Sequence, residues 1–224
     1  MINDKRIRII IGHYGSGKTE FSVNYALKLA NLGKKVALVD LDVVNLYFRS
    51  REKAEVLEKR GIRVIGGAKK ATAIDIPSIP GEVLTPLQDN SFDAILDVGG
   101  NPAGARVLGR YQEYLVEGNY DMFFVLNANR PETKTVEQAM EYMVKIEDIA
   151  RAKITGIINN THLLKSTTIE DVLGGYDLAL QVSKATKVPL KYNSVLESIA
   201  CKLPQDLVGD IFPIKLFMRE EWML

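Results

Sequence analysis

The stretch Gly12-His13-Tyr14-Gly15-Ser16-Gly17-Lys18-Thr19 constrains this chain more than any other, because it meets every fixed position of the pattern G-x-x-x-x-G-K-[S/T]. An apolar run, Ile7 to Ile11, stands directly before it, and a helix-forming segment follows. Strand, glycine-rich loop and helix in that order are what a phosphate cradle requires. The glycines let the backbone curl until successive N–H groups converge on one anion, and the helix adds its positive end. Lys18 is expected to reach the β- and γ-phosphates and the Thr19 hydroxyl to ligate Mg²⁺. The implied ligand is a nucleoside triphosphate, with Gly12, Gly15, Ser16, Gly17, Lys18, Thr19 and Glu20 as the expected binding set. A dinucleotide fingerprint fits less well, since Gly15-Ser16-Gly17 is not followed by a third glycine three residues on.

Residues 1–224 read as one α/β domain, with an irregular excursion at about 68–91 and a tail at 204–224. Apolar residues make up 46% and charged residues 25%, as in ordinary globular proteins. A net charge of +1 gives no overall pull toward nucleic acid, and none is expected as a partner. Cys201 is the only cysteine, which excludes an intramolecular disulfide; with two histidines, a zinc site is not expected either. No segment has the length of a membrane-spanning helix, and the N-terminal apolar run leads into the phosphate loop, so the chain reads as cytoplasmic.

Short apolar runs at 6–11, 35–40, 92–97, 121–127 and 153–159 predict buried strands, and 62–66 adds an edge strand. Phe21, Tyr25, Leu29 and Leu32 share a helical face that stops at Gly33, and Val107, Leu108, Tyr111 and Leu115 mark another helix. Thr135 with Gln138, Thr167 with Glu170 and Ser194 with Glu197 are spaced as capping boxes. Alternating strands and helices predict a mainly parallel sheet with helices on both faces, and such sheets bind ligands beyond the carboxyl ends of their strands. Polar residues do follow the apolar runs, at Asp40, Asp97, Asn127 and Asn159.

Asp97, at the tip of a buried strand, is placed to hold Mg²⁺ directly or through water. The text Asp97-Val98-Gly99-Gly100 has the D-x-x-G form in which the N–H of Gly100 approaches a γ-phosphate. Asp40 and Asp42 share one side of their strand, and two carboxylates there suit orientation of the attacking water and support of the metal shell. Asn159 and Asn160 offer amide groups to the edge of adenine, and the N-K-x-D form that suits guanine is absent, which favours ATP over GTP. Arg49, Arg51 and Arg130 are candidate phosphate partners or solvated surface groups.

Taken together, Gly15-Ser16-Gly17-Lys18-Thr19, the text LANLGKKVALVDLD, the DVGG turn and the GIINN strand resemble the MinD/ParA-like ATPases. These belong to the same P-loop class as the nitrogenase iron protein, dethiobiotin synthetase and the cobyrinic acid amide-forming enzymes. The resemblance runs from residue 6 to about residue 190. More narrowly, VDLDVVNLYFRSRE and INNTHL are similar to a bacterial group of nucleotide-binding proteins in this superfamily. The resemblance implies a three-layer P-loop NTPase fold, ATP with Mg²⁺, and Asp42 as a switch carboxylate that positions water. It also implies Asp97 as a metal-linked acid and Asn159 as an adenine contact. One departure stands out: His13 replaces the lysine that reaches across a dimer in MinD and ParA, and Tyr14 replaces a glycine. A homodimer stays open, but one built on that lysine is not expected. MinD proteins end in a membrane-binding amphipathic helix. Here Pro213 interrupts the tail, and Glu220 and Glu221 offset Lys215 and Arg219, so docking against the body or a partner is expected rather than membrane contact.

The leading expectation is a Mg²⁺-dependent ATPase that acts as a nucleotide switch, converts ATP to ADP and phosphate, and signals to a protein partner. The alternative is an ATP-dependent synthetase that activates a carboxylate on a small molecule.

Overall fold

The computed structural model describes residues 3–42, 53–66 and 81–218. Along the chain come β1 (Ile7–Gly12), α1 (Lys18–Asn31), β2 (Val36–Leu41), α2 (Ala54–Glu58), β3 (Ile62–Ile65), α3 (Leu84–Gln88), β4 (Asp93–Val98) and α4 (Pro102–Ala105). They are followed by β5 (Tyr120–Leu126), α5 (Val136–Ala150), β6 (Gly156–Asn159), α6 (Ile169–Thr186), β7 (Leu190–Leu196), α7 (Glu197–Ala200) and β8 (Asp210–Ile214). Among the described residues the eight strands form one sheet, ordered β3-β2-β4-β1-β5-β6-β7-β8. Every neighbouring pair is parallel. The fold is therefore the expected α/β architecture, with helices on both faces.

Strand pleating sorts the core. Ile7, Ile9 and Ile11 of β1 face the layer of α5 and α6 with Met143, Ile146 and Ala179, while Ile10 faces the α1 layer with Phe21 and Tyr25. Phe212 of β8 joins this second layer, stacked on Tyr25 with ring centroids 5.6 Å apart. Burial of side chains of this size contributes about 1.5–3 kcal/mol each, which fixes α1 on the sheet. Order reverses at β1, whose neighbours β4 and β5 lead away in opposite directions, and a crevice at the carboxyl ends results.

Several local expectations change. β7 and β8 were not anticipated as strands, and Ser194 lies within β7 opposite Phe212 rather than at a helix start. The cap of α6 is Thr168 with Asp171, one residue later than the expected Thr167 with Glu170. The Thr167 hydroxyl is already occupied, accepting from Leu163 N and donating to Leu164 O. The box of Thr135 and Gln138 forms as expected. Val107, Leu108, Tyr111 and Leu115 are buried, but Arg106–Tyr111 is a 3₁₀ helix rather than an α-helix. Glycines at 104 and 109 reduce α-helical propensity there. Leu32 caps α1 and is 56% exposed, off the buried face of Phe21, Tyr25 and Leu29. Within the expected excursion, α3 accommodates Pro86 in its first turn; residues 67–80 lie outside the described residues.

Candidate functional site

Between β1 and α1 the chain curls through Gly15 and Gly17, at φ +73° and +84°, where side chains other than hydrogen are strained. A Cβ on Gly17 would also collide with the Asn160 amide. Three carbonyls of the curl are held by side chains, two of them from outside the loop. Lys18 Nζ donates to His13 O (3.0 Å), Arg130 Nε to Gly15 O (2.9 Å) and Asn160 Nδ2 to Ser16 O (2.7 Å). A trans peptide points its C=O and the next N–H in opposite directions, so the held Ser16 carbonyl sends the Gly17 N–H inward. The 14-residue α1 begins at Gly17 without a side-chain cap, and its first-turn donors face the same space. Converging donors without a capping carboxylate suit an anion.

Lys18 is buried, and burial lowers its pKa against the opposing charges of Asp97 and Asp42. Asp97, next to last in β4, stands opposite Asp40 on one side and Ile10 on the other. Burial, then the Asp40 charge, raises its carboxyl to about 7, while a Thr19 hydrogen bond and the Lys18 charge oppose this. The Asp42 N–H donates to Asp40 Oδ1 (3.1 Å), and a Cβ on Gly99 would fall 2.9 Å from Asp42 Oδ1. Thr19, Asp97 and Asp42 therefore meet from the ends of three elements. No trio of His, Cys, Asp or Glu among the described residues is spaced to chelate a metal. A hydroxyl with carboxylates reached through water is nonetheless a donor set that Mg²⁺ accepts, and the buried, unpartnered Asp97 Oδ1 fits such a cation.

The Gly99-Gly100 turn seats directly on the loop: a Cβ on Gly100 would stand 2.6 Å from Lys18 Nζ and 2.8 Å from Tyr14 Cα. The Gly100 carbonyl accepts from Tyr142 OH of α5 (2.9 Å). The Tyr142 ring meets His13 edge-on at 5.3 Å, and His13 Nε2 lies 3.3 Å from Glu132 Oε2. His13 is thus engaged within its own chain.

A cleft of about 270 Å³ opens over these groups. Lys18, Thr19 and Asp42 border its polar end, and Leu164, Leu196, Leu216 and Met218 supply apolar lining. Asn160 borders it too, but Asn159 does not, which corrects the expected adenine contact. Asn159 is fully buried; its Nδ2 donates to Val172 O and Asn193 Oδ1, and its Oδ1 accepts from Thr161 N. No free edge remains for a base. Glu20 borders the cleft, and its carboxylate accepts from Phe217 N (2.5 Å) and Met218 N (3.2 Å), which anchors the C-terminal segment. Arg130 holds the loop backbone, whereas Arg49 and Arg51 lie outside the described residues, as do Glu220 and Glu221. The clamp by Arg130 and the Tyr142 contact left no trace in sequence spacing. Ser194 and Leu196 could have been found from the strand-end rule, had β7 been recognised.

A glycine loop after the first strand, an uncapped helix and acids at two neighbouring strand ends define a P-loop nucleotide-binding protein. The model of the CbiA family, the CobQ/CobB/MinD/ParA nucleotide binding domain, matches residues 7–181, and the chain belongs to that family. Solved structures share the fold. FtsY from Mycoplasma mycoides matches with TM-score 0.53 at 17% identity, covering 85% of this chain and 60% of that one. Chloroplast FtsY from Physcomitrella patens gives 0.54 at 17%, covering 85% and 58%. The signal recognition particle 54 kDa protein from Aeropyrum pernix K1, in complex with GDP, gives 0.51 at 20%, covering 82% and 41%. The chain thus spans 60% or less of the length of these three neighbours. No curated protein matches it. No helix among the described residues is long and apolar enough to cross a membrane.

Proposed function

We propose that this protein is a Mg²⁺-dependent ATPase that works as a nucleotide switch and signals to a protein partner. The observation that carries the reading is the uncapped start of α1 beside Lys18, with Thr19 and the unpartnered Asp97 oxygen one step away. In this reading Gly12, Gly15, Ser16, Gly17 and Thr19 wrap the phosphates, and Lys18 leaves His13 O for the β- and γ-phosphate oxygens. Thr19, with Asp97 and Asp42 directly or through water, would hold Mg²⁺, which supplies charge neutralisation across those oxygens. Asp42 orients the attacking water, and the Gly100 N–H approaches the γ-phosphate. Loss of that phosphate removes the reason for the Gly99-Gly100 turn to stay on the loop.

Adenine is favoured by the Asn160 amide. One N–H of its Nδ2 goes to the Ser16 carbonyl, and its Oδ1, which has no hydrogen-bond partner, is an acceptor for a base. An exocyclic amine of adenine donates to it, whereas the keto oxygen of guanine repels it. The GDP carried by the fold relative makes GTP the proper comparator. A dimer that uses His13 in trans forms no part of the proposal, because His13 is engaged by Glu132 and Tyr142.

The test is phosphate release from Mg·ATP and Mg·GTP by the purified protein, with Lys18→Ala as control. Slow release from ATP that vanishes in the variant is expected. Tight ATP binding by Lys18→Ala would sink the assignment of the loop. Tight wild-type binding without release would assign turnover to a second substrate, the synthetase reading.

A further inference from the structure

Beyond β8, the last strand among the described residues, residues 215–218 are pinned to α1 by two side chains one helical turn apart. Asn24 bridges the Lys215 backbone both ways: its Oδ1 accepts from Lys215 N and its Nδ2 donates to Lys215 O, each at 2.8 Å. Glu20, on the same helix face, takes the consecutive N–H groups of Phe217 and Met218 on one carboxylate. A carboxylate receiving two backbone N–H groups makes charge-assisted bonds, about twice as strong as neutral ones. The residues so fixed include Leu216 and Met218, both of which border the cleft. Ser194 borders the same cleft, is 2% exposed and carries a hydroxyl with no hydrogen-bond partner. An apolar wall beside an unsatisfied polar group suits a heteroaromatic base. Its faces gain from packing on Leu and Met, and its rim supplies hydrogen bonds.

We infer that Glu20 is a positioning residue for base recognition: by capping Phe217 and Met218 it seats Leu216 and Met218 as the wall on which the base of a bound nucleotide rests. The inference rests on the nucleotide reading of the cleft given above. Glu20 adjoins Thr19, so one turn of α1 sets both the metal-side hydroxyl and, through the C-terminal segment, the base wall. Glu20 acts at the base end while sitting in sequence at the phosphate end.

The experiment measures equilibrium binding of Mg·ATP and of inorganic tripolyphosphate, which has no base, to the full chain. Glu20→Ala and Leu216→Ala are each expected to weaken ATP by roughly tenfold while tripolyphosphate changes less than about twofold. Glu20→Gln, which keeps one accepting oxygen, should fall between wild type and Glu20→Ala. Retained tripolyphosphate binding also shows that each variant is folded. Equal losses for both probes would place Glu20 at the phosphates and overturn the inference. Unchanged ATP affinity in Leu216→Ala would remove the wall. Failure of the wild type to bind either probe would overturn the nucleotide reading itself, a result distinct from the other two.

Discussion

At Asn160 one side-chain amide serves the loop and, in the proposed reading, the base: one N–H of Nδ2 goes to Ser16 O and Oδ1 has no hydrogen-bond partner. Asn160→Ala is expected to weaken ATP by about tenfold and GTP by less, bringing the two affinities together. Equal losses in parallel titrations would confine the residue to holding the loop. Arg130 borders the cleft and donates from Nε to the Gly15 carbonyl. Arg130→Ala leaves the Gly15 carbonyl without its clamp, and Mg·ATP binding should fall by roughly tenfold, as expected for a partly buried acceptor losing a charged donor. An unaltered dissociation constant would show that the curl of the loop needs no clamp. Which of two adjacent asparagines faces the cleft was not legible, because it depends on where the strand stops. β6 includes Asn159, still paired with Leu126 and Asn193, and only the next residue turns out toward the loop.

Among the elements, the loop, α1 and the strands that carry Asp40 and Asp97 were legible because their chemistry is local: glycine spacing, a buried run and an acid at its end. β7 and β8 were hidden for a physical reason. β7 reads Leu-Lys-Tyr-Asn-Ser-Val-Leu, and its buried Asn193 and Ser194 break any apolar run. Asn193 is tolerated there because it bonds Asn159 and Val208, partners that are 34 and 15 residues away. β8 contains Pro213, which looks like a strand breaker but sits on the edge strand, where one side of the ladder needs no donor. The hold on the segment beyond β8 spans 191 residues from Asn24 to Lys215, a pairing no local pattern could announce. Asn24→Ala should therefore cost about 1–3 kcal/mol in a denaturant titration, since it leaves both the N–H and the C=O of Lys215 unbridged. Trypsin should also cut after Lys215 earlier than in wild type. Identical cleavage kinetics would mean that Glu20 alone secures the segment.

For the whole molecule, the decisive property is that the cleft draws on groups far apart in sequence. The β1–α1 loop, the residue after β2, the residues after β6, the end of β7 and the segment beyond β8 all border one space. A ligand bound there ties these parts in the folded state and touches none of them in the unfolded chain. Its effect on stability follows from mass action alone. At a free concentration one hundred times its dissociation constant, a single-site ligand adds about 2.7 kcal/mol. For a domain of this length that corresponds to a rise in Tm of roughly 5–10 °C. Calorimetry with Mg·ATP should accordingly show one transition moving upward as a unit. Lys18→Ala should remove most of the shift, and chelation of the divalent cation should reduce it, because the triphosphate would then meet the carboxylates of Asp97 and Asp42 without neutralisation. The same scan tests whether the chain is one cooperative body. The C-terminal strands pack into the α1 layer through Tyr192 and Phe212, so β7 and β8 should melt with the nucleotide-binding half. Two transitions, of which only the first responds to Mg·ATP, would instead separate the β7–β8 region from the cleft and contradict the contribution of Leu216 and Met218 to it.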